Sequence, residues 1–256
     1  MVARTCSAPA DYGRGASVPL PTYLRYRSAD RLFYAHYARD KLDYTHHTNY
    51  TRERQLVQNE IIQGFAWETY ASQTEPWLIF VAGPIGAGKS HVAAGLPIDA
   101  VRIDTDALKF LLPIEEVEEG EEGDEFGDTD IVTKSSLVHK ESGYLAELIL
   151  HEALRRGLHV IFEGTLKSPW YTAHIASLKR DYPAYRLALI AVTAPLEVIK
   201  KRVMERGQRT GREVPLAVVE EAFSKVPGAH KPLIPLMDFT VKYMNVDGAP
   251  CFKLLF

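Results

Sequence analysis

The chain has 256 residues, enough for one α/β domain with an extension and for a sizeable core that needs no covalent staples. Its 46% hydrophobic and 25% charged content is that of a globular protein, and the formal net charge of -3 argues against a general nucleic-acid binder. Two cysteines, Cys6 and Cys251, form neither a disulfide framework nor a zinc pattern, and no apolar run reaches the length of a membrane span. The expectation is reduced thiols in the cytoplasm.

Residues 1–30 carry Pro9, Pro19 and Pro21 and read as an extended arm. Arg4, Arg14, Arg25, Arg27 and Arg31 hint at an organelle transit sequence, against which Asp11 and the prolines count. Tyr, His, Arg and Leu dominate from Ala29 to Thr69, and Thr51 reads as the N-cap of a helix through Leu56, Val57, Glu60 and Ile61 to Gly64. Most tyrosines precede Pro76, and rings of that kind pack rather than stand in solvent as a group.

After Pro76 strands and helices alternate. Trp77–Ala82 is an uninterrupted apolar run, as in a strand buried on both faces. Ala100–Ile103, His159–Phe162, Arg186–Val192 and Phe239–Tyr243 are the further strands. Helices are expected from Asp106 to Leu112, from Ser136 to Arg156 with Gly157 as its C′ residue, and from Ser168, Pro195 and Pro215. This alternation predicts βαβ units and a mainly parallel sheet, a P-loop NTPase-type three-layer sandwich. The division expected is an N-terminal arm and helical extension, residues 1–75, and a P-loop domain, residues 76–256. The acidic run Glu115–Asp128 reads as a solvated loop.

Gly83-Pro84-Ile85-Gly86-Ala87-Gly88-Lys89-Ser90 satisfies every fixed position of G-x-x-x-x-G-K-[ST], between an apolar strand and a helix continuing through His91. The glycines let successive N–H groups face phosphate, and the helix start adds its positive end. Lys89 reaches the β- and γ-phosphates of ATP, and the Ser90 hydroxyl is a ligand for Mg²⁺. The motif by itself does not separate a kinase from an NTPase.

Phosphoryl transfer to a hydroxyl needs a carboxylate for the proton and positive charge around the moving group. Asp104 and Asp106 follow a strand, where open α/β sheets bind ligands. As structural alternatives, Asp104 is an N-cap and Asp106 a first-turn acid. Glu163 and Thr165 emerge after another buried strand; Glu163 holds an acceptor hydroxyl or a metal-bound water, and Thr165 binds the acceptor or caps a turn. Arg202 and Arg206 share a helix face, with Arg209 and Arg212 in a loop beyond, as in a lid or as in a solvated basic face. Trp170-Tyr171 either stacks on an acceptor ring or packs, Glu141 faces the site or solvent, and His46, His47 and His139 have no ligand spacing.

Gly83–Ser90, Ile103-Asp-Thr-Asp106, Phe162-Glu-Gly-Thr-Leu166 and the arginine lid together resemble the zeta-toxin family of P-loop kinases, over residues 50–245. Val138–Ala146 and Arg209–Pro215 look most like the eukaryotic proteins with this domain. The bacterial toxins of the family phosphorylate a sugar hydroxyl of UDP-N-acetylglucosamine with ATP-Mg. The resemblance implies Lys89 and Ser90 as the Walker A pair, Asp106 as general base, and Glu163 and Thr165 as acceptor-binding residues. It implies Arg212 as one phosphate-binding arginine, with Arg202 or Arg206 as the other. Lys167 stands where the bacterial pattern has arginine, and the acidic run and the N-terminal extension lie outside that pattern, so the acceptor is the open question. Neither an antitoxin nor another protein partner is implied.

Overall fold

The structure, a computed structural model, describes residues 37–113, 138–210, 214–246 and 251–254. The N-terminal arm, the acidic run Glu115–Asp128 and Arg212 lie outside the described residues. The chain forms two compact units, one made of Met1–Trp67 with Thr105–Glu152, the other of Glu68–Asp104 with Ala153–Phe256.

In the first unit, α1 (Arg52–Gln63) begins where sequence places it: the Thr51 side chain accepts from the Arg54 N–H at 3.3 Å, and Gly64 follows the last turn. Its burial is inverted. Arg54, Gln55, Gln58 and Asn59 are buried, whereas Leu56 is 47% exposed. The reason is a polar interior. Arg54 makes two charge-assisted bonds to Glu141, Nε–Oε1 at 2.8 Å and Nη2–Oε2 at 2.9 Å, and Gln58 donates to the same carboxylate. The guanidinium of Arg39, 1% exposed, donates to Asn59, Gln58 and the Gln55 carbonyl. Glu141 is thus buried in an ion pair and does not face solvent.

Tyr44 and Tyr50 pack on Tyr144, the Tyr50–Tyr144 ring centroids lying 4.8 Å apart. His47, expected to be a surface or packing residue, is buried against Glu147 with Nε2 at 2.5 Å from Oε2. The unit also holds α3 (Thr105–Leu111) and the first part of α4 (His139–Arg155).

The second unit is built on β1 (Trp77–Ala82), β2 (Val101–Asp104), β3 (Val160–Gly164), β4 (Arg186–Thr193), β5 (Phe239–Met244) and β6 (Cys251–Leu254). Their order in the sheet is β2-β3-β1-β4-β5-β6; the first five run parallel and β6 pairs antiparallel to β5. The parallel sheet is as expected. β6 was not, because its four residues follow a Gly-Ala-Pro stretch that carries no strand pattern.

Ile79, Val81, Ile161, Ala188, Ile190 and Val192 alternate along their strands onto one face. There they join Ala93 of α2 (Lys89–Ala94), Ile199 and Val203 of α6 (Leu196–Thr210), and Val219 of α7 (Leu216–Ala229). The alternate residues Leu78, Phe80, Phe162 and Leu189 are buried as well, so the sheet is covered on both sides.

α4 ends at Gly157 as its sequence demands. Gly157 has φ 70°, its N–H donates to Leu154, and the Leu158 N–H donates to Ala153, the two bonds of a Schellman cap. α5 (Trp170–Asp181) starts just after Pro169. Among the described residues no helix is long and apolar enough to cross a membrane.

Candidate functional site

β1 delivers the chain into Gly83–Gly88 at the carboxyl edge of the sheet, with Ala82 paired to Gly164 on one side and Ala191 on the other. A side chain at Gly83 would place its Cβ 2.1 Å from the Val192 carbonyl oxygen, so only glycine lets the loop leave between two strands. Gly88 turns the chain into α2 with φ 88°, and a Cβ there would lie 2.0 Å from the Asn245 side-chain nitrogen. The Ala87 N–H closes a turn onto Pro84, and Ile85 packs on the core beneath.

Lys89 folds back over this turn: its Nζ donates to the carbonyls of Gly83 and Pro84, each at 3.1 Å. Ser90 and His91 occupy the first turn of α2 with exposed side chains. α2 has six residues, so the cradle rests on the N–H groups of loop and first turn more than on a long helix dipole.

The carboxylates stand on the neighbouring strands. Asp104, Glu163 and Val81 are Cα partners across β2, β3 and β1, one row of the sheet, so their side chains project from the same face. Glu163 is 2% exposed. Its Oε1 accepts from Arg102 Nη2 at 2.7 Å, and its buried Oε2 has no hydrogen-bond partner among the described residues.

The segment after Glu163 is held from behind. Leu166, 1% exposed, has φ 48°, a left-handed conformation uncommon for a residue with a side chain. The carbonyl of the preceding Thr165 accepts from Nε2 of the buried His230 at 2.8 Å. Burial lowers the pKa of His230; the Thr165 bond opposes that shift and the charge of Lys89 adds to it. Trp170 stacks on His174 of its own helix, centroids 4.2 Å apart, which accounts for this ring by packing.

Arg202 and Arg206 are half-buried on one side of α6. Arg202 Nη1 donates to the Asn245 carbonyl at 3.4 Å and lies 3.6 Å from the Cβ position of Gly88, against the phosphate loop. Arg206 is one turn further on. The helix continues to Thr210, so Arg209 is helical and exposed, not in a loop as expected. Gly207 lies buried within α6 and does not end it. Lys200 of α6 pairs with Glu220 of α7 at 2.7 Å, joining the two helices.

Asp106, in the other unit, occupies the first turn of α3 and accepts from Lys109 Nζ at 2.9 Å, with its side chain 53% exposed. Three residues at the phosphate loop and its neighbours escaped sequence reading: Arg102, His230 and Asn245. Asn245 donates from its side chain to the Ala87 carbonyl at 2.9 Å. No local pattern marks any of the three, since each acts on a residue far away in the chain.

The sequence model of the family described as zeta toxin matches residues 65–242. No curated protein matches the chain in sequence. Among solved structures, AvrRxo1-ORF1:-ORF2 with ATP is similar at TM-score 0.55 and 18% identity, covering 80% of this chain and 67% of that one. The PezAT chromosomal toxin-antitoxin system of Streptococcus pneumoniae is similar at TM-score 0.58 and 15% identity, covering 79% and 81%. These likenesses are of fold.

Proposed function

The chain belongs to the zeta-toxin family of P-loop kinases, and from that premise we propose that it transfers the γ-phosphoryl group of ATP to a hydroxyl of a small or nucleotide-linked acceptor, by family resemblance UDP-N-acetylglucosamine. The proposed catalytic domain is residues 76–256. The observation that carries the reading is the Gly83–Ser90 loop, with Arg202 against it and the carboxylates Asp104 and Glu163 in one row at the same sheet edge.

In the proposed reaction the acceptor oxygen forms a bond to the γ-phosphorus, the bond from that phosphorus to the β–γ bridging oxygen breaks, and ADP leaves. The acceptor's proton passes to the carboxylate of Asp106. Lys89 exchanges its two loop carbonyls for phosphate oxygens. Arg202 and Arg212 offset charge on the transferring group, with Arg206 one turn behind. Glu163 and Thr165 hold the acceptor, and Asp104 flanks them.

Magnesium fits this donor set. Ser90 offers a hydroxyl and Asp104 a hard oxygen donor, and among the described residues no cluster of three ligating side chains is assembled. Mg²⁺ needs only one or two protein oxygens beside phosphates and water. When bound, it would neutralise charge on the β- and γ-phosphate oxygens.

The test is incubation with γ-labelled ATP, Mg²⁺ and a panel of hydroxyl acceptors headed by UDP-N-acetylglucosamine, with Lys89→Ala and Asp106→Asn as controls. Label on the nucleotide sugar, reduced about 10²- to 10³-fold or more in each control, is the expected result. Transfer to a different acceptor keeps the chemistry and replaces the substrate. Undiminished transfer by Lys89→Ala would remove the scheme.

A further inference from the structure

The proposed roles of the phosphate loop, the carboxylates and the lid leave Arg102, the ion-pair partner of Glu163, without one. This arginine lies on the edge strand β2, two residues before Asp104. Alternation along the strand therefore puts it on the sheet face that carries Asp104 and Glu163. Its side chain is 43% exposed, whereas its partner Glu163 is 2% exposed. A single guanidinium nitrogen, Nη2, lies 2.7 Å from Glu163 Oε1 and 3.4 Å from the Ser90 carbonyl oxygen.

Two facts set this pair apart from an ordinary surface ion pair. A carboxylate at this depth has given up its water, and Arg102 provides opposite charge and one short bond in return. The bond is also one-sided. It occupies Oε1, while Oε2 is buried with no hydrogen-bond partner among the described residues. The buried pair of Arg54 with Glu141, by contrast, uses both oxygens. A buried carboxylate oxygen without a donor is costly unless a ligand supplies one.

We propose that Arg102 is a positioning residue for acceptor binding: it holds Glu163 by one oxygen, ties that carboxylate to the first turn of the phosphate-loop helix through Ser90, and so presents Oε2 as the acceptor for a hydroxyl donor of the phosphoryl acceptor. The inference rests on the kinase reading above and deepens it. The ligand chemistry it names is a polyhydroxyl compound that donates, through a hydroxyl, to a buried anionic oxygen. Arg102 itself touches neither phosphate nor acceptor.

The experiment is steady-state kinetics of the wild-type chain, Arg102→Met, Arg102→Lys, Glu163→Gln and the double variant Arg102→Met/Glu163→Gln. The acceptor is UDP-N-acetylglucosamine or, where the wild type labels another member of the panel, that compound. Thermal unfolding and ATP affinity are measured on the same preparations. Arg102→Met is expected to raise the acceptor KM on the order of tenfold, with the ATP KM changed less than about threefold. Arg102→Lys, which keeps a donor and a charge, recovers part of the loss. The double variant is expected to lose little more than Glu163→Gln, because Arg102 acts through that carboxylate. Equal losses for ATP and acceptor, additive losses in the double variant, or an unchanged acceptor KM in a folded Arg102→Met each overturn the proposal. A wild-type chain that binds ATP and transfers phosphate to nothing removes the kinase reading and the role of Arg102 with it. A wild type active on any acceptor separates the two questions.

Discussion

The side-chain amide of Asn245, just past the end of β5, donates to the carbonyl of Ala87 at 2.9 Å, and the main-chain carbonyl of Asn245 accepts from Arg202 Nη1. One buried residue thus links the phosphate loop to α6, the helix of Arg202 and Arg206. The loop conformation is held from the side as well as by its own glycines.

Asn245→Ala removes a buried bond and leaves the Ala87 carbonyl without that donor. The expected cost is about 1–3 kcal/mol of stability, together with an ATP KM raised on the order of tenfold. Urea unfolding and ATP titration of the same preparation check the two parts. A variant with unchanged ATP affinity would show that the glycines alone keep the loop in place.

Gly83→Ala should be worse than an ordinary glycine substitution. The added methyl meets backbone rather than a movable side chain, 2.1 Å from the Val192 oxygen. Either β1 and β4 separate or the loop shifts, and stability falls on the order of 3 kcal/mol. The midpoint of urea unfolding reads this without any assay of activity.

Stability should depend on pH through His230. Burial lowers its pKa in the folded chain below the ordinary 6.5. The unfolded chain therefore binds the proton more readily, and the sign follows: His230 does not lower stability above about pH 6.5, and stability is lost as the pH falls below that value toward the folded pKa. Unfolding free energies of wild type and His230→Asn between pH 5 and pH 8 test it, since the variant should show a shallower decline on the acid side.

Arg54 and Glu141 form a buried, bidentate pair within the first unit. Arg54→Ala or Glu141→Ala leaves one uncompensated buried charge and should cost about 3–5 kcal/mol. The double replacement Arg54→Met/Glu141→Leu should recover much of that loss. If both single variants unfold at the wild-type midpoint, the pair is screened by water and the interior is less dry than its burial indicates.

The site was legible in the sequence to the extent that its residues are neighbours in the chain. Gly83–Ser90 declares itself because a phosphate cradle is built from consecutive backbone N–H groups, which require glycines at fixed spacing. Glu163 could be assigned to a strand end because the apolar run Val160-Ile161-Phe162 precedes it. Thr51, Gly64, Gly157 and the prolines before α5, α6 and α7 marked helix ends for equally local reasons. The misreadings are local as well. Arg209 was expected in a loop beyond the helix of Arg202 and Arg206, yet the helix runs to Thr210 and carries Arg209 with it.

By itself, then, the sequence determined the phosphate loop, the five parallel strands and the family, since each is encoded in runs of residues whose spacing matches the period of a strand, a helix or a turn. Tertiary structure alone decided which distant residues hold those parts in register. Arg102 meets Glu163 across 61 positions, His230 meets Thr165 across 65, and Asn245 meets Ala87 across 158. Those meetings follow from the strand order β2-β3-β1-β4-β5-β6, and no local periodicity records that order. The buried polar face of α1 has the same cause: Arg54 and Gln58 are inside because Glu141, 87 and 83 residues away, supplies the charge that makes their burial tolerable.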